Sequence, residues 1–194
     1  ANMPSQTDFT ALILAGGRSS RMGQDKALLN IQGQTLLSHM QQLAYAAGAR
    51  QVLVSRNQAG FIADLAEPAL HQQGPLAGIL ASLSHCSSPR LLVLAVDTPL
   101  LTAEGLQLLL RGTTDQATYF TDNPLPCVLP VCASLAGRIE QQLKAGQRSV
   151  KQLLSQLGAM SIASPAAELL NTNTPEQWQQ CLNVLACRRD YAQA

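Results

Sequence analysis

The stretch LILAGGRSSRMGQDK, Leu12 to Lys26, opens as an apolar strand and turns abruptly into a loop with paired glycines, Arg18, Arg21, two serines and a closing Asp25-Lys26 pair. Glycine lets backbone N–H groups approach a ligand closely, and Arg and Lys neutralise phosphate. A nucleotide triphosphate fits that chemistry. The loop is not a Walker A loop, which needs GxxxxGK[ST]: Gly17 and Gly23 are separated by five residues and followed by Gln24, Asp25 and Lys26. It is not GxGxxG either. A plain structural turn would also explain the glycines. Arg21 and Lys26 are harder to read as solvated charge, because only 13% of the residues are charged.

Two further loops carry candidate chemistry. Asp97 closes the apolar run LLVLAV (Leu91 to Val96) and precedes Thr98 and Pro99. A carboxylate there suits Mg²⁺, a hard cation that takes one or two carboxylates plus phosphate oxygens; the competing reading is an N-cap or turn former ahead of proline. In GPLAG, Gly74 and Gly78 flank a turn entering a helix, which lets a planar base or a phosphate reach the backbone, though a simple turn has the same form. His39, His71 and His85 read as ordinary helix and loop histidines, and Trp178 with Leu182 at helical spacing reads as core.

Elements of alternating type must position these loops. ALILA, QVLVS and LLVLAV are short apolar runs of the kind that form strands buried on both faces. Between them QTLLSHMQQLAYAAG, stopped by Gly48, and LAGILASLSHC carry helical spacing. Thr102 caps a helix to Leu110, and Thr174-Pro175-Glu176 starts a final one. ATYFT and CVLPVC read as strands, LAGRIEQQLKAG and SVKQLLSQLG as helices. The alternation predicts an α/β fold with a mostly parallel central sheet covered on both faces, and ligands at the strand carboxyl ends. With 194 residues, 46% of them apolar, and no linker or repeat, one domain over 1–194 is expected. A net charge of +1 gives no basic field for nucleic acid, and the apolar runs fall far short of the roughly 20 residues that span a bilayer. The opening ANMPSQTDF lacks signal-peptide form, and five cysteines without CxxC spacing read as reduced thiols; a cytoplasmic setting is expected.

LAGGRSSRMGQDKALL, GPLAG, VDTP and NTNTP, in this order from Ala11 to about Leu185, resemble the molybdenum cofactor guanylyltransferases, nucleotidyltransferases with the signature LxGGxxxRMGxDK. The resemblance implies a three-layer α/β/α Rossmann-like nucleotidyltransferase fold. It implies that the terminal phosphate of molybdenum-loaded molybdopterin attacks the α-phosphorus of GTP, releasing pyrophosphate. Nucleotide contacts are implied for Leu14, Ala15, Gly16, Gly17, Lys26, Glu67, Gly74, Gly78 and Asp97, within a nucleotide half of about 11–110. Lys26 and Arg21 would act on phosphates and Asp97 would hold Mg²⁺; Arg148, Asn171 and Asn173 would shape the pterin half, about 111–186. Other cofactor-biosynthesis proteins and acceptor molybdoenzymes are the implied partners, with no nucleic acid and no membrane.

The chain departs from the family pattern in three places. Glu67 stands where relatives commonly have Asp, Ser55 replaces an Asn, and NPLPC (Asn123 to Cys127) lacks a His-Pro pair. A molybdopterin cytidylyltransferase is the nearest competing function, sharing the phosphate loop and carboxylate but not base choice. A module that binds GTP without turnover is a competitor of another class.

Overall fold

The computed structural model describes residues 8–16, 25–57, 60–67, 70–71 and 74–192. Among the described residues six strands form one sheet. β1 (Thr10–Leu14) lies between β4 (Gln51–Ser55) and β5 (Arg90–Ala95), parallel to both; beyond β5 come β7 (Asn123–Pro130), β6 (Thr118–Phe120) and β8 (Met160–Ile162). Only β7 runs antiparallel to the others.

Strand alternation sorts the apolar side chains into two layers. Ala11, Ile13, Leu92 and Leu94 pack against α1 (Leu36–Ala46), α3 (Ala103–Leu110) and α6 (Pro175–Ala192). Leu12, Leu91 and Val93 pack on the opposite face against α2 (Pro75–Ser82), α4 (Ala133–Lys144) and α5 (Val150–Gln156). This is the three-layer α/β/α architecture expected from the alternation. Trp178 and Leu182 pack against the first layer, as their spacing predicts. Arg90, buried at the start of β5, donates to the Leu110 carbonyl at 2.8 Å and so satisfies the end of α3; burial holds its pKa below the ordinary guanidinium value.

Local signals account for most boundaries. Thr35, Thr102 and Ser149 accept hydrogen bonds from the N–H groups of Ser38, Gly105 and Gln152, capping α1, α3 and α5. Gly48 (φ 106°) ends the first helix in the left-handed region, where a β-carbon is strained. Two features were not legible. The hairpin of β2 (Asn30–Ile31) and β3 (Gln34–Thr35) is only two residues per strand, and β8 is a short edge strand carrying no buried residue. β7 also begins four residues before the apolar run CVLP. Pro124 and Pro126 fall where β7 has no β5 partner, since that pairing covers only Cys127 to Pro130. Among the described residues, no helix is long and apolar enough to cross a membrane.

Candidate functional site

Strand register brings the candidate loops to one edge. Leu14 pairs with both Ser55 and Ala95, so Ala15, Arg56 and Val96 leave the sheet at the same level. Ala15 N–H donates to the Ser55 carbonyl at 3.0 Å and Val96 N–H to the Leu14 carbonyl at 3.2 Å, which continues the pairing one step beyond the strands. Asp97 follows immediately. The loop after it is pinned by His39, whose Nε2 lies 2.9 Å from the Pro99 carbonyl; a carbonyl only accepts, so that nitrogen carries the proton. Arg188 of α6 donates to the Leu100 carbonyl at 3.0 Å.

Lys26 reaches this edge from a short 3-10 turn, Lys26–Leu28, capped by the Asp25 carboxylate on Ala27 N–H at 3.1 Å. Its ammonium stands 3.7 Å from Asp97 Oδ2 and donates a hydrogen bond to Asn173 Oδ1. Both charged side chains remain partly open, 19% exposed for Lys26 and 24% for Asp97, so a phosphate can still reach them. Asn173 is held by the start of α6. Thr174 Oγ1 accepts from Gln177 N–H at 3.2 Å, while Gln177 Oε1 accepts from the N–H groups of Thr174 (3.2 Å) and Asn173 (2.9 Å). This is a reciprocal capping box with one extra donor. Thr172, fully buried, ties the same segment to the other loop through its N–H on the Asp97 carbonyl at 3.0 Å. Residues 147 positions apart thereby meet at one ammonium.

The remaining expected residues divide. Leu14, Ala15 and Gly16 sit at the end of β1, with Gly16 exposed. Gly74 precedes α2 with φ 79° and ψ −158°, a backbone conformation open only to glycine, and a β-carbon there would meet nothing within 4 Å. Gly78 is different. It is buried in α2, and a β-carbon would lie 2.6 Å from Ser55 Oγ and 3.0 Å from Leu14 Cδ2, so close helix–strand packing explains it. Glu67 is exposed on the connection from β4 to α2, its carboxylate 3.5 Å from Lys144 at the end of α4. Because β7 is antiparallel, α4 runs back toward the strand carboxyl ends. The exposed Arg148 therefore follows it at the same edge as Asp97. Asn171 is exposed, next to Thr172. Gly17 and Arg21 lie outside the described residues.

Sequence reasoning missed Arg56. It is 4% exposed, grips the Asp25 carboxylate with both guanidinium nitrogens, donates from Nη1 to the Ala15 carbonyl at 3.2 Å, and stands 5.7 Å from the Phe61 ring. Its signal was an arginine directly after an apolar strand in a chain with few charges. Thr172, Gln177 and His39 were missed as positioning groups because their partners lie on distant segments.

Among the described residues no cluster of three or more His, Cys, Asp and Glu could hold a metal by itself. One open carboxylate beside an ammonium suits a different case, a hard cation brought in on a polyphosphate that needs a single protein oxygen. Among the described residues the arrangement is a glycine-bearing strand end, a cation and a carboxylate, with no nucleophile or base pair between them. It can place and stabilise phosphates.

Comparison with known proteins agrees with that reading. Residues 11–160 match the MobA-like NTP transferase domain. The molybdenum cofactor guanylyltransferase of Xanthomonas euvesicatoria pv. vesicatoria is 40% identical over 188 residues, covering 93% of this chain and 98% of the relative. That of Pseudomonas fluorescens is 33% identical, covering 88% and 92%. The crystal structure of molybdopterin-guanine dinucleotide biosynthesis protein A from Archaeoglobus fulgidus superposes with a TM-score of 0.72 over 91% of this chain and 98% of that one; at 21% identity it speaks for the fold. The chain belongs to the MobA-like NTP transferase family, among the molybdenum cofactor guanylyltransferases.

Proposed function

We propose that this protein transfers GMP from GTP to the terminal phosphate of molybdenum-loaded molybdopterin, releasing pyrophosphate. The observation that carries the residue assignments is the meeting of Lys26, Asp97 and Asn173 at the strand carboxyl ends, where the glycine loop and the NTNTP segment converge. The attacking phosphate oxygen is already a nucleophile, so no strong base is required. A bond forms from that oxygen to the α-phosphorus while the α–β bridging bond breaks. Catalysis is then placement plus stabilisation of charge on the transferring and leaving groups.

The roles are those that the family resemblance implies. Leu14, Ala15, Gly16 and Gly74 line the nucleotide site, with Gly17 continuing the loop, and Lys26 and Arg21 meet its phosphates; the Ala15 N–H and carbonyl are themselves held by Ser55 and Arg56. Arg148, Asn171 and Asn173 receive the pterin. Asp97 would hold Mg²⁺, which when bound neutralises phosphate charge. Glu67, whose carboxylate lies 3.5 Å from Lys144, is read as a further nucleotide contact. The chain is read as one domain, nucleotide half first and pterin half second, working in the cytoplasm with proteins that deliver molybdopterin and accept the product.

Backbone donors and acceptors cannot rotate to suit another base, so CTP would leave buried polar groups unpaired at roughly 1–3 kcal/mol each. Pyrophosphate release with each of the four nucleotides, with and without molybdopterin, is the test. GTP with molybdopterin should be the productive pair; release that ignores the pterin, or binding of GTP without turnover, would contradict the transfer reading.

A further inference from the structure

Arg56 is buried more deeply than the described charges around it: its side chain is 3% exposed, against 33% for Asp25, 19% for Lys26 and 24% for Asp97. A buried ion pair is weak evidence of stabilisation, because desolvation offsets its Coulomb energy. Its geometry says more. The guanidinium fork takes both carboxylate oxygens of Asp25, and Nη1 also holds the Ala15 carbonyl at 3.2 Å. Arg56 is itself fixed by its N–H on the Ile62 carbonyl at 2.8 Å, one step beyond β4. One side chain therefore joins the end of β1 to the residue that caps the turn carrying Lys26. Among the described residues two carboxylates and two cations meet here, and the fork assigns Asp25 to Arg56. Lys26 is left to Asp97 and Asn173.

We propose that Arg56 is a positioning residue for Lys26: by clasping Asp25 and the Ala15 carbonyl together, it sets the turn from which the ammonium reaches the reaction site. Lysine cannot replace it, because an ammonium offers charge without the planar fork. The inference rests on the transfer reading, but one arm of its test needs no turnover. The chain has only three lysines, Lys26, Lys144 and Lys151. Reductive ¹³C-methylation labels all three, and the Lys26 resonance is assigned by its loss in Lys26→Ala. In Arg56→Gln that resonance should move while those of Lys144 and Lys151 stay; an unmoved Lys26 signal overturns the proposal. The second arm is a double-mutant cycle on transfer. Arg56→Gln should lower kcat about 10–100-fold, the effect of a small misplacement, with GTP KM changed less than about threefold. Arg56→Lys should recover only part of the loss. In a Lys26→Ala background the same change should cost less than about threefold. Equal losses in both backgrounds would make Arg56 a general structural residue and overturn the proposal. Should Arg56→Gln lack a cooperative thermal transition, Asp25→Asn carries both arms, since it keeps the cap's oxygen and removes the charge the fork holds. A wild-type chain without transfer activity counts against the proposed function, and the lysine spectrum still decides the role of Arg56.

Discussion

Gly78→Ala separates a packing glycine from a ligand-approach glycine. The new β-carbon would stand 2.6 Å from Ser55 Oγ, 3.0 Å from Leu14 Cδ2 and 3.4 Å from Ser55 Cβ, at a position where Ser55 is only 6% exposed. The helix itself gains about 1 kcal/mol from Gly→Ala. Overpacking costs about 1–3 kcal/mol. The net is a loss of about 1 kcal/mol, which for a chain of this size lowers Tm by about 2–4 °C. Ser55→Ala removes the 2.6 Å contact and leaves the other two, so the double variant should recover about half of the loss or more, a coupling read by a double-mutant cycle in denaturant. GTP KM should rise in Gly78→Ala, because α2 shifts from the strand ends that carry Leu14 and Ala15, and fall back in the double variant. A Gly78→Ala protein stabilised by the full helix gain, with no coupling to Ser55, would refute the packing argument.

Other expectations concern the reacting groups and the thiols. Lys26→Ala should lower turnover by two to four decades, about 3–5 kcal/mol, with the fold intact; near-normal turnover at saturating GTP would remove Lys26 from the chemistry. Asp97→Asn keeps size and a hydrogen-bonding oxygen but loses the charge, so Mg²⁺-dependent activity should collapse while the thermal transition persists. Full wild-type activity in excess EDTA would count against the metal. Cys132 is exposed at the start of α4; the Ser134 hydroxyl, then backbone N–H groups and Arg138, hold its pKa below the usual thiol value. It should react with iodoacetamide in the native protein at a pH below that of an ordinary thiol. Burial pushes Cys127 to about 12 and Cys181 to about 11, from an ordinary 9.0. Both should resist alkylation until the chain unfolds. Because these thiols ionise more readily in the unfolded chain, stability should be lost as pH rises above about 9, which denaturant midpoints at rising pH would read.

The parts of this architecture legible in the sequence were those with a local cause. The strands of β1, β4 and β5 are continuous apolar runs because helices cover them on both faces, and Thr102, Gly48 and Thr174 announce helix ends through their own hydrogen bonds or backbone angles. Asp97 was legible as a polar break at a strand end, and Lys26 as the cation that closes the glycine loop. Contacts between distant segments left no such mark. That Thr172 donates to the Asp97 carbonyl, or that Asn173 accepts from Lys26, depends on how α6 packs, and no spacing within NTNTP encodes it. Arg56 was overlooked for the same reason: Asp25 and Ala15, which its guanidinium holds, are 31 and 41 residues away. Gly78 was read from chemistry when its neighbours supply a steric cause. The hairpin of β2 and β3 is too short for periodicity to register.

Guanylyl, and no other nucleotidyl group, is expected to move onto the pterin phosphate. Incubating the purified protein with Mg²⁺, molybdenum-loaded molybdopterin and an equimolar mixture of GTP and CTP, each labelled at the α-phosphate, reads this in one reaction. Two unpaired polar groups in the base site, at roughly 1–3 kcal/mol each, correspond to a preference of about thirtyfold or more. The expected product carries GMP, formed only with pterin present and matched by pyrophosphate. Predominant transfer of CMP, or label that never reaches the pterin, would contradict it.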